Sequence, residues 1–193
     1  MPAVSPHRLN IVRAAARLFR KQGYSRTGLN DILTDSQAPK GSLYHYFPAG
    51  KEQLGQEALR FSSQLAVDTL TELRKDHPTA PALLTAFADQ LAVWMEASGF
   101  HDGCPMATTI LETIPGSSTI RLAAQTGLEA WQDVFQEALL ADGASAEDAR
   151  RLANLSIAVL EGSLIQARVE LSGTPIRESA EEIACLMASR CAT

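Results

Sequence analysis

The stretch that decides the fold is APKGSLYHYFPAGK, residues 38–51, which holds two glycines, two lysines and three aromatic residues. On a helical wheel at 100° per residue, Leu43 and Phe47 fall on one side, and Gly41 and His45 on the other. A glycine inside so short a helix costs about 1 kcal/mol relative to alanine. We therefore expect the bare position to let another surface approach closely.

Polar groups surround this predicted small face. Ser42 and Tyr44 flank it and offer hydroxyl donors. Lys40 begins the short helix, and Lys51 begins the next one, where backbone N–H groups and the helix dipole favour an anion. The pattern favours contact with phosphates and base edges of a nucleic acid; the alternative is a helical hairpin whose aromatic residues merely pack.

Charge is divided unevenly along the chain. Residues 1–51 hold eight basic and two acidic side chains, whereas the remainder holds nine basic and twenty acidic ones. This division indicates that the first quarter meets a polyanion while the rest avoids it. A solvated basic face without a partner is the alternative that charge alone leaves open.

Apolar spacing and stop signals predict three helices in the first fifty residues. Ser5 and Pro6 open the first, which Gly23 closes. Thr27 is predicted to cap a short second helix, and after a break at residues 37–39 an equally short third helix ends near Phe47. Two short helices about three residues apart form a helix-turn-helix pattern.

Six further helices are predicted beyond this pattern, and no segment alternates with period two for long enough to form a strand. Ser145, with Asp148 three residues later, predicts a capping box at the start of the eighth helix. The chain contains no internal repeat. The predicted segments are about 51–76, 81–98, 105–113, 118–140, 146–171 and 175–190.

Several classes of protein do not fit the sequence. No uncharged run is long enough to span a bilayer and no secretory signal opens the chain, so we expect a cytoplasmic protein. Three cysteines without CxxC spacing predict reduced thiols and no zinc site or other metal site. His101, Asp102 and Cys104 share a glycine-rich loop, where neighbours rarely have catalytic geometry. We expect neither catalysis nor a cofactor.

The first sixty or so residues resemble the DNA-binding head of TetR-type transcriptional repressors. The resemblance rests on KGSLYHYF at 40–47 and on the following Lys51-Glu52 pair. Gln37 departs from the family's usual glycine, so that either the turn avoids positive φ or a glutamine bears about 1 kcal/mol of strain. The PAG link at 48–50 is one residue longer than the commonest form. Other matching positions are Phe19, Gly23, Thr27 and Ile32.

The PAG link and GCPM at 103–106 resemble the drug- and flavonoid-responsive, LmrA/YxaF-like subgroup of that family. The resemblance implies an all-α, nine-helix, two-domain fold, with a three-helix DNA-binding head at 1–50 and a ligand-binding and dimerisation body at 51–193. In the matched positions, Gly41, Ser42 and His45 would face the major groove. The residues that would hold phosphates are Thr27, Lys40, Tyr44 and Lys51.

The resemblance also implies a dimer through the last two long helices. The eighth helix is apolar on more than one face, which fits burial against a second partner, although the seventh helix of the same chain could cover both faces. The predicted interface residues are Leu152, Leu155, Val159, Ser163, Ile176, Ala180, Ile183 and Met187.

A small-molecule site in the body is the third implication. Aromatic and apolar side chains could line a cavity with a few polar anchors, and Cys104 in the GCPM turn would mark its entrance. Aromatic residues at helical spacing are more often core, and that alternative stays open. The predicted lining is Trp94, Phe100, Met106, Trp131 and Phe135, with Glu112, Glu161 and Arg168 as anchors.

Together these features predict a dimeric repressor that a small hydrophobic or aromatic effector releases from a palindromic operator. One alternative is a redox-responsive regulator that senses through Cys104. The other is a helical protein-interaction module with no DNA target. Salt dependence separates a DNA-binding protein from a protein-interaction module, because duplex binding falls steeply as salt rises.

Overall fold

The computed structural model describes residues 6–39 and 41–191, which form nine α-helices and no strand. The predicted all-α, nine-helix fold is confirmed. Ser5, the predicted first cap, lies outside the described residues. The helices are α1 (Pro6–Gln22), α2 (Leu29–Ser36), α3 (Ser42–Tyr46), α4 (Gly50–Asp76), α5 (Ala80–Ala97), α6 (Pro105–Thr113), α7 (Ser118–Ala141), α8 (Ala146–Glu170) and α9 (Thr174–Cys191).

The chain divides into two compact units. The first contains α1–α3, the part of α4 up to Gln64, and the segment Cys104–Gly127 with α6 and the start of α7. The second contains the remainder of α4 and α7 together with α5, α8 and α9. The division at residues 50 and 51 stays a prediction about domains. By contacts, α6 belongs with the first three helices rather than with α8 and α9.

We call α1, α2 and α3 the head; their buried side chains form most of a hydrophobic core in the first unit. Phe19, Ile32, Leu43 and Phe47 are almost fully buried in it. The Arg8 guanidinium lies 5.4 Å from the centre of the Phe47 ring and donates to a Glu57 carboxylate oxygen at 2.8 Å. Apolar burial and this bridge therefore fix the short α3 against α1 and α4.

Helix caps follow the sequence at α8 and depart from it at α2. Ser145 Oγ accepts a hydrogen bond from the Asp148 N–H at 3.1 Å, which confirms the cap at the start of α8. The α2 cap is Gly28 and not the predicted Thr27. The Gly28 N–H instead donates to an Asp31 carboxylate oxygen at 2.9 Å. A carboxylate near a helix N-terminus also interacts favourably with the helix dipole.

In the second unit, α9 packs against both α5 and α8. Arg177 on α9 bridges to α5 by donating to Glu96 at 3.0 Å and to Asp89 at 2.9 Å. These bonds raise the pKa of Arg177. Among the described residues, no helix is both long and apolar enough to cross a bilayer.

The turn between α2 and α3 takes a left-handed conformation at Gln37, with φ 54° and ψ 28°. Its N–H donates to the carbonyl oxygens of Leu33 and Thr34 and so closes α2. Of the two alternatives that the sequence left open, the structure shows the strained one. A β-carbon in this conformation costs about 1 kcal/mol, whereas glycine adopts it without penalty.

Replacing Gln37 by glycine is therefore expected to raise the free energy of unfolding by about 1 kcal/mol. Urea unfolding followed by circular dichroism measures the change. Gln37→Ala is the matched control, since it removes the same side chain but keeps the strained β-carbon, and it should bring no such gain. Equal stability of the glycine and alanine variants would contradict the strain at this position.

Candidate nucleic-acid interface

The five-residue helix α3 presents two different sides. Leu43 is 1% exposed and points into the head core, where Phe47 after the helix is also buried. Gly41, Tyr44 and His45 are exposed, and we call these three residues the α3 outer surface. The predicted division between a buried apolar side and an exposed small, polar side is confirmed.

Gly41 lies at the N-cap of α3 and not inside it, with φ −77° and ψ −12°. Any amino acid adopts these angles, so backbone conformation does not require glycine. A β-carbon built at this position meets no atom within 4 Å. Neither helix geometry nor packing in the described chain explains the glycine, and the predicted close approach of another surface stays a prediction.

The neighbouring polar side chains differ in how they are held. Ser42 Oγ donates to the Pro39 carbonyl oxygen at 2.6 Å, which fixes the entry into α3. Tyr44 is 65% exposed. The His45 ring is exposed and lies edge-on to the Tyr46 ring, with centroids 4.8 Å apart. Tyr44 and His45 thus offer a phenol and an imidazole to a partner, while Ser42 supports the backbone.

An open groove of about 540 Å³ adjoins the α3 outer surface. The start of α2 forms one wall and Tyr44 stands at the other, so a ligand lying in the groove would touch both helices. The sequence analysis did not predict that α2 would line this groove. The polar residues at the start of α2 were the one signal that could have indicated it. The lining residues are Gly28, Leu29, Asn30, Asp31, Leu33, Leu43 and Tyr44.

Thr27 does not have the role predicted for it. The side chain is fully buried, and its hydroxyl donates to the Gly23 carbonyl oxygen at 2.6 Å and accepts from Gln22 at 3.3 Å. The hydroxyl therefore braces the turn after α1 and is not available to a phosphate. Lys40, the other phosphate-binding candidate near α3, lies outside the described residues.

Lys51 lies in the first turn of α4, beside the turn that links α1 to α2. Its ammonium nitrogen is 3.3 Å from the Ser25 carbonyl oxygen and 4.6 Å from the centre of the Tyr24 ring. Partial burial lowers the pKa of Lys51 and outweighs the charge of Glu112, which raises it. The predicted phosphate-binding lysine is thus folded onto the protein itself.

Glu112, predicted as a ligand anchor, lies elsewhere. Its carboxylate accepts hydrogen bonds from the N–H groups of Ser25 at 2.6 Å and Tyr24 at 3.2 Å. Burial raises its pKa, but these bonds and the charge of Lys51 outweigh burial and leave the pKa of Glu112 below its usual value. No sequence signal indicates a contact between residues 88 positions apart. We correct the prediction: Glu112 binds the head.

The remaining ligand-site candidates are divided between the units. Cys104 and Met106 are in the first, where Met106 is buried and its Cε packs against α7 at Gly127. In the second, Phe135 is buried with its ring edge-on to Phe87, which is core packing. Trp131 is buried on the same helix.

Four further candidates lie in the second unit at or near the surface. Trp94 is 41% exposed, and its place in a ligand site stays a prediction. Phe100 is half-buried in the loop after α5. Glu161 is half-buried on α8. Arg168 is exposed and donates to the His101 carbonyl oxygen at 2.9 Å, which ties α8 to that loop.

Five of the eight predicted interface residues are buried within the chain itself. A partner cannot contact side chains that the chain already covers, so these assignments are corrected. Leu155, Val159 and Ile183 keep exposed area. The five covered residues are Leu152, Ser163, Ile176, Ala180 and Met187.

The helix α3 follows α2 after a short turn, is held by the core and exposes a small polar side. This arrangement defines a helix-turn-helix protein of the DNA-binding class. Residues 11–58 match the model of the bacterial regulatory proteins of the tetR family. Residues 80–182 match the C-terminal domain of LmrA/YxaF-like transcriptional regulators. The chain belongs to the TetR family of transcriptional regulators, and its predicted likeness to the LmrA/YxaF-like subgroup is confirmed.

Relatives with curated names agree with this assignment. The chain is 35% identical to an uncharacterised HTH-type transcriptional regulator of Bacillus subtilis, YxaF, over 93% of this chain and 94% of the relative. It is 32% identical to the HTH-type transcriptional regulator LmrA of the same organism, over 88% of this chain and 90% of that relative. The crystal structure of a regulatory protein TetR from Rhodobacter sphaeroides has a TM-score of 0.79 at 28% identity, covering 94% and 98%.

Substitutions that add a side chain at Gly41 test whether the bare position is needed for close approach of DNA. Gly41→Leu is expected to leave the melting temperature unchanged, because a side chain there enters open space, and to weaken duplex binding at least tenfold. Gly41→Ala should lie between the wild type and the leucine variant. Thermal unfolding and fluorescence anisotropy with labelled duplex measure the two effects; undiminished DNA binding by the leucine variant would contradict close approach at this position.

Substitutions of Lys51 and His45 are expected to change DNA binding in different ways. Lys51→Ala is expected to weaken binding to every sequence and to flatten the dependence of log K on log salt by about one unit, as loss of one phosphate contact does. His45→Ala should instead change which sequence is preferred. Titrations on selected and scrambled duplexes make the comparison, and equal losses on both by both variants would refute the division of roles.

Proposed function

We propose that this chain is a dimeric transcriptional repressor that binds a palindromic operator through α3 and leaves it when a small hydrophobic effector binds. The observation that carries the DNA-binding part is the α3 outer surface, where Gly41 has no packing or backbone reason to be glycine. The basic excess of residues 1–51 supports a polyanionic partner. Tyr44 and His45 provide exposed hydrogen-bonding groups at the same surface.

A dimer supplies what one short helix lacks. A five-residue helix contacts only a few base pairs, so two copies related by a two-fold axis on a palindrome extend the sequence that is recognised. The second unit carries a surface suited to this role. The exposed residues of α8 include Leu155, Ala158, Gly162, Ile165 and Val169, spaced by three and four residues along one face. We call this stripe the α8 face.

The α8 face has the chemistry of a helix-packing surface. Ile165 is 65% exposed and Val169 is 80% exposed, which is costly for large apolar groups in water. Gly162 lies between them and Leu155, and a β-carbon there meets no atom within 4 Å. Small residues within an apolar stripe let two helix backbones approach closely. Leu186 and the half-buried Ile183 extend the apolar surface on α9.

The effector part of the proposal rests on the subgroup and on the placement of α6. LmrA/YxaF-like regulators are the relatives of residues 80–182, which include α6. Within the first unit, α6 packs against α1, and Glu112 at its end binds the turn that follows α1. A ligand that moved α6 would thereby act on the head. The buried, apolar Met106 on α6 favours a hydrophobic ligand.

Filling the glycine of the α8 face should separate the subunits. Gly162→Leu is expected to weaken the dimer at least about thirtyfold, because overpacking costs about 1–3 kcal/mol in each copy. The monomer should stay folded, since leucine favours helix over glycine and enters open space. Sedimentation against concentration measures the dimer, with Gly162→Ala as the milder control. An unchanged dimer in the leucine variant would exclude this face.

Footprinting tests the regulatory function as a whole. Purified protein on DNA that flanks its own gene is expected to protect a site with two-fold symmetry, and binding should fall steeply between low and moderate salt. A panel of aromatic compounds should include one that removes the footprint. Salt-insensitive binding, or protection that no compound affects, would contradict the DNA-binding and effector parts respectively.

A further inference from the structure

The turn between α1 and α2 (residues 23–28) forms a small anion-binding site. Gly23 has φ +89°, and the next two N–H groups, of Tyr24 and Ser25, then point to the same place. Successive N–H groups in such a turn create a concavity that binds anions. The occupant is the Glu112 carboxylate, with one oxygen on each N–H. A β-carbon at Gly23 would overlap that carboxylate.

Lys51 shares this site. Its ammonium group donates to the Ser25 carbonyl oxygen, in the same residue whose N–H donates to Glu112. It also lies 4.6 Å from the centre of the Tyr24 ring, a cation–π distance. Glu112 is the charged group that acts on Lys51 through its field. Three attractions therefore hold the ammonium group against the turn.

A DNA phosphate needs the same ammonium group. Lysine binds phosphate as a compact charge on a flexible stem, so its position follows the strongest nearby anion and acceptor groups. While Glu112 fills the turn, the lysine has an anion within its own protein. The free energy of the contact between Lys51 and a phosphate is therefore reduced by the attraction to the turn that the lysine gives up.

We propose that Glu112 is a positioning residue for DNA binding: its carboxylate and a DNA backbone phosphate compete for the Lys51 ammonium group. This inference rests on the proposed function, because it assigns α6 a direct influence on one phosphate contact of the head. Withdrawal of Glu112 from the turn would release Lys51 to the duplex, and insertion of Glu112 would hold it back.

The test is a double-mutant cycle on random-sequence duplex, followed by fluorescence anisotropy at several salt concentrations. Glu112→Gln is expected to strengthen binding by about two- to fivefold, the range of exposed ion pairs, and to steepen the salt dependence. In the Lys51→Ala background the same substitution should change nothing. Loss of affinity in folded Glu112→Gln protein, or an equal gain without Lys51, would overturn the inference.

Glu52→Gln is the matched control for long-range charge. It removes the same charge from an exposed side chain of the same unit, whose carboxylate accepts from Ser117 and not from the turn. Its effect on DNA affinity should be the same with Lys51 and with alanine at position 51. Coupling to Lys51 as large as that of Glu112 would show that net charge alone explains the gain.

Glu112→Asp keeps the test decisive if the glutamine variant unfolds. Aspartate retains the charge but is too short to bind both N–H groups, so competition predicts a gain in affinity, while a pure charge effect predicts none. Circular dichroism monitors folding of each variant. If wild-type protein binds no duplex, the proposed function fails; if it binds but neither variant couples to Lys51, only the inference about Glu112 fails.

Discussion

Burial of Leu43 and Phe47 is the constraint on which the position of α3 depends. A helix of five residues has almost no stability of its own in water, because nucleation is unfavourable and few internal hydrogen bonds repay it. Each fully buried side chain of this size contributes about 1.5–3 kcal/mol. These two contacts hold α3 in place and, through helix geometry, determine that Tyr44 and His45 point outward beside the exposed Gly41. The α3 outer surface is a consequence of the core beneath it.

Local signals made most of the fold predictable. Ser145 with Asp148 identified the start of α8, and Pro105 the start of α6, because caps and proline act within a few residues. Gln37 could be recognised as a choice between two turn geometries, and the structure shows the strained one. Thr27 was misassigned as the cap of α2. Its hydroxyl instead donates to the Gly23 carbonyl oxygen and accepts from Gln22, and Gly28 is the cap.

Features that depend on tertiary packing could not be predicted in the same way. The sequence shows that α8 is apolar on more than one face, but it does not show which face the rest of the chain covers. The structure buries Leu152 and Ser163 and leaves Ile165 and Val169 exposed. The contact between Glu112 and the head is also tertiary, since it joins residues 88 positions apart. The charge and periodicity of the α6 sequence fit an ordinary amphipathic helix. They do not indicate the contact between Glu112 and the head.

Hydrogen exchange with and without duplex DNA tests most directly whether the α3 outer surface enters DNA. At low salt, addition of duplex is expected to slow exchange in the segment 38–51, and Gly41→Leu should abolish that protection in a protein that is otherwise folded. Unchanged exchange in this segment, with protection appearing elsewhere in the chain, would contradict the account.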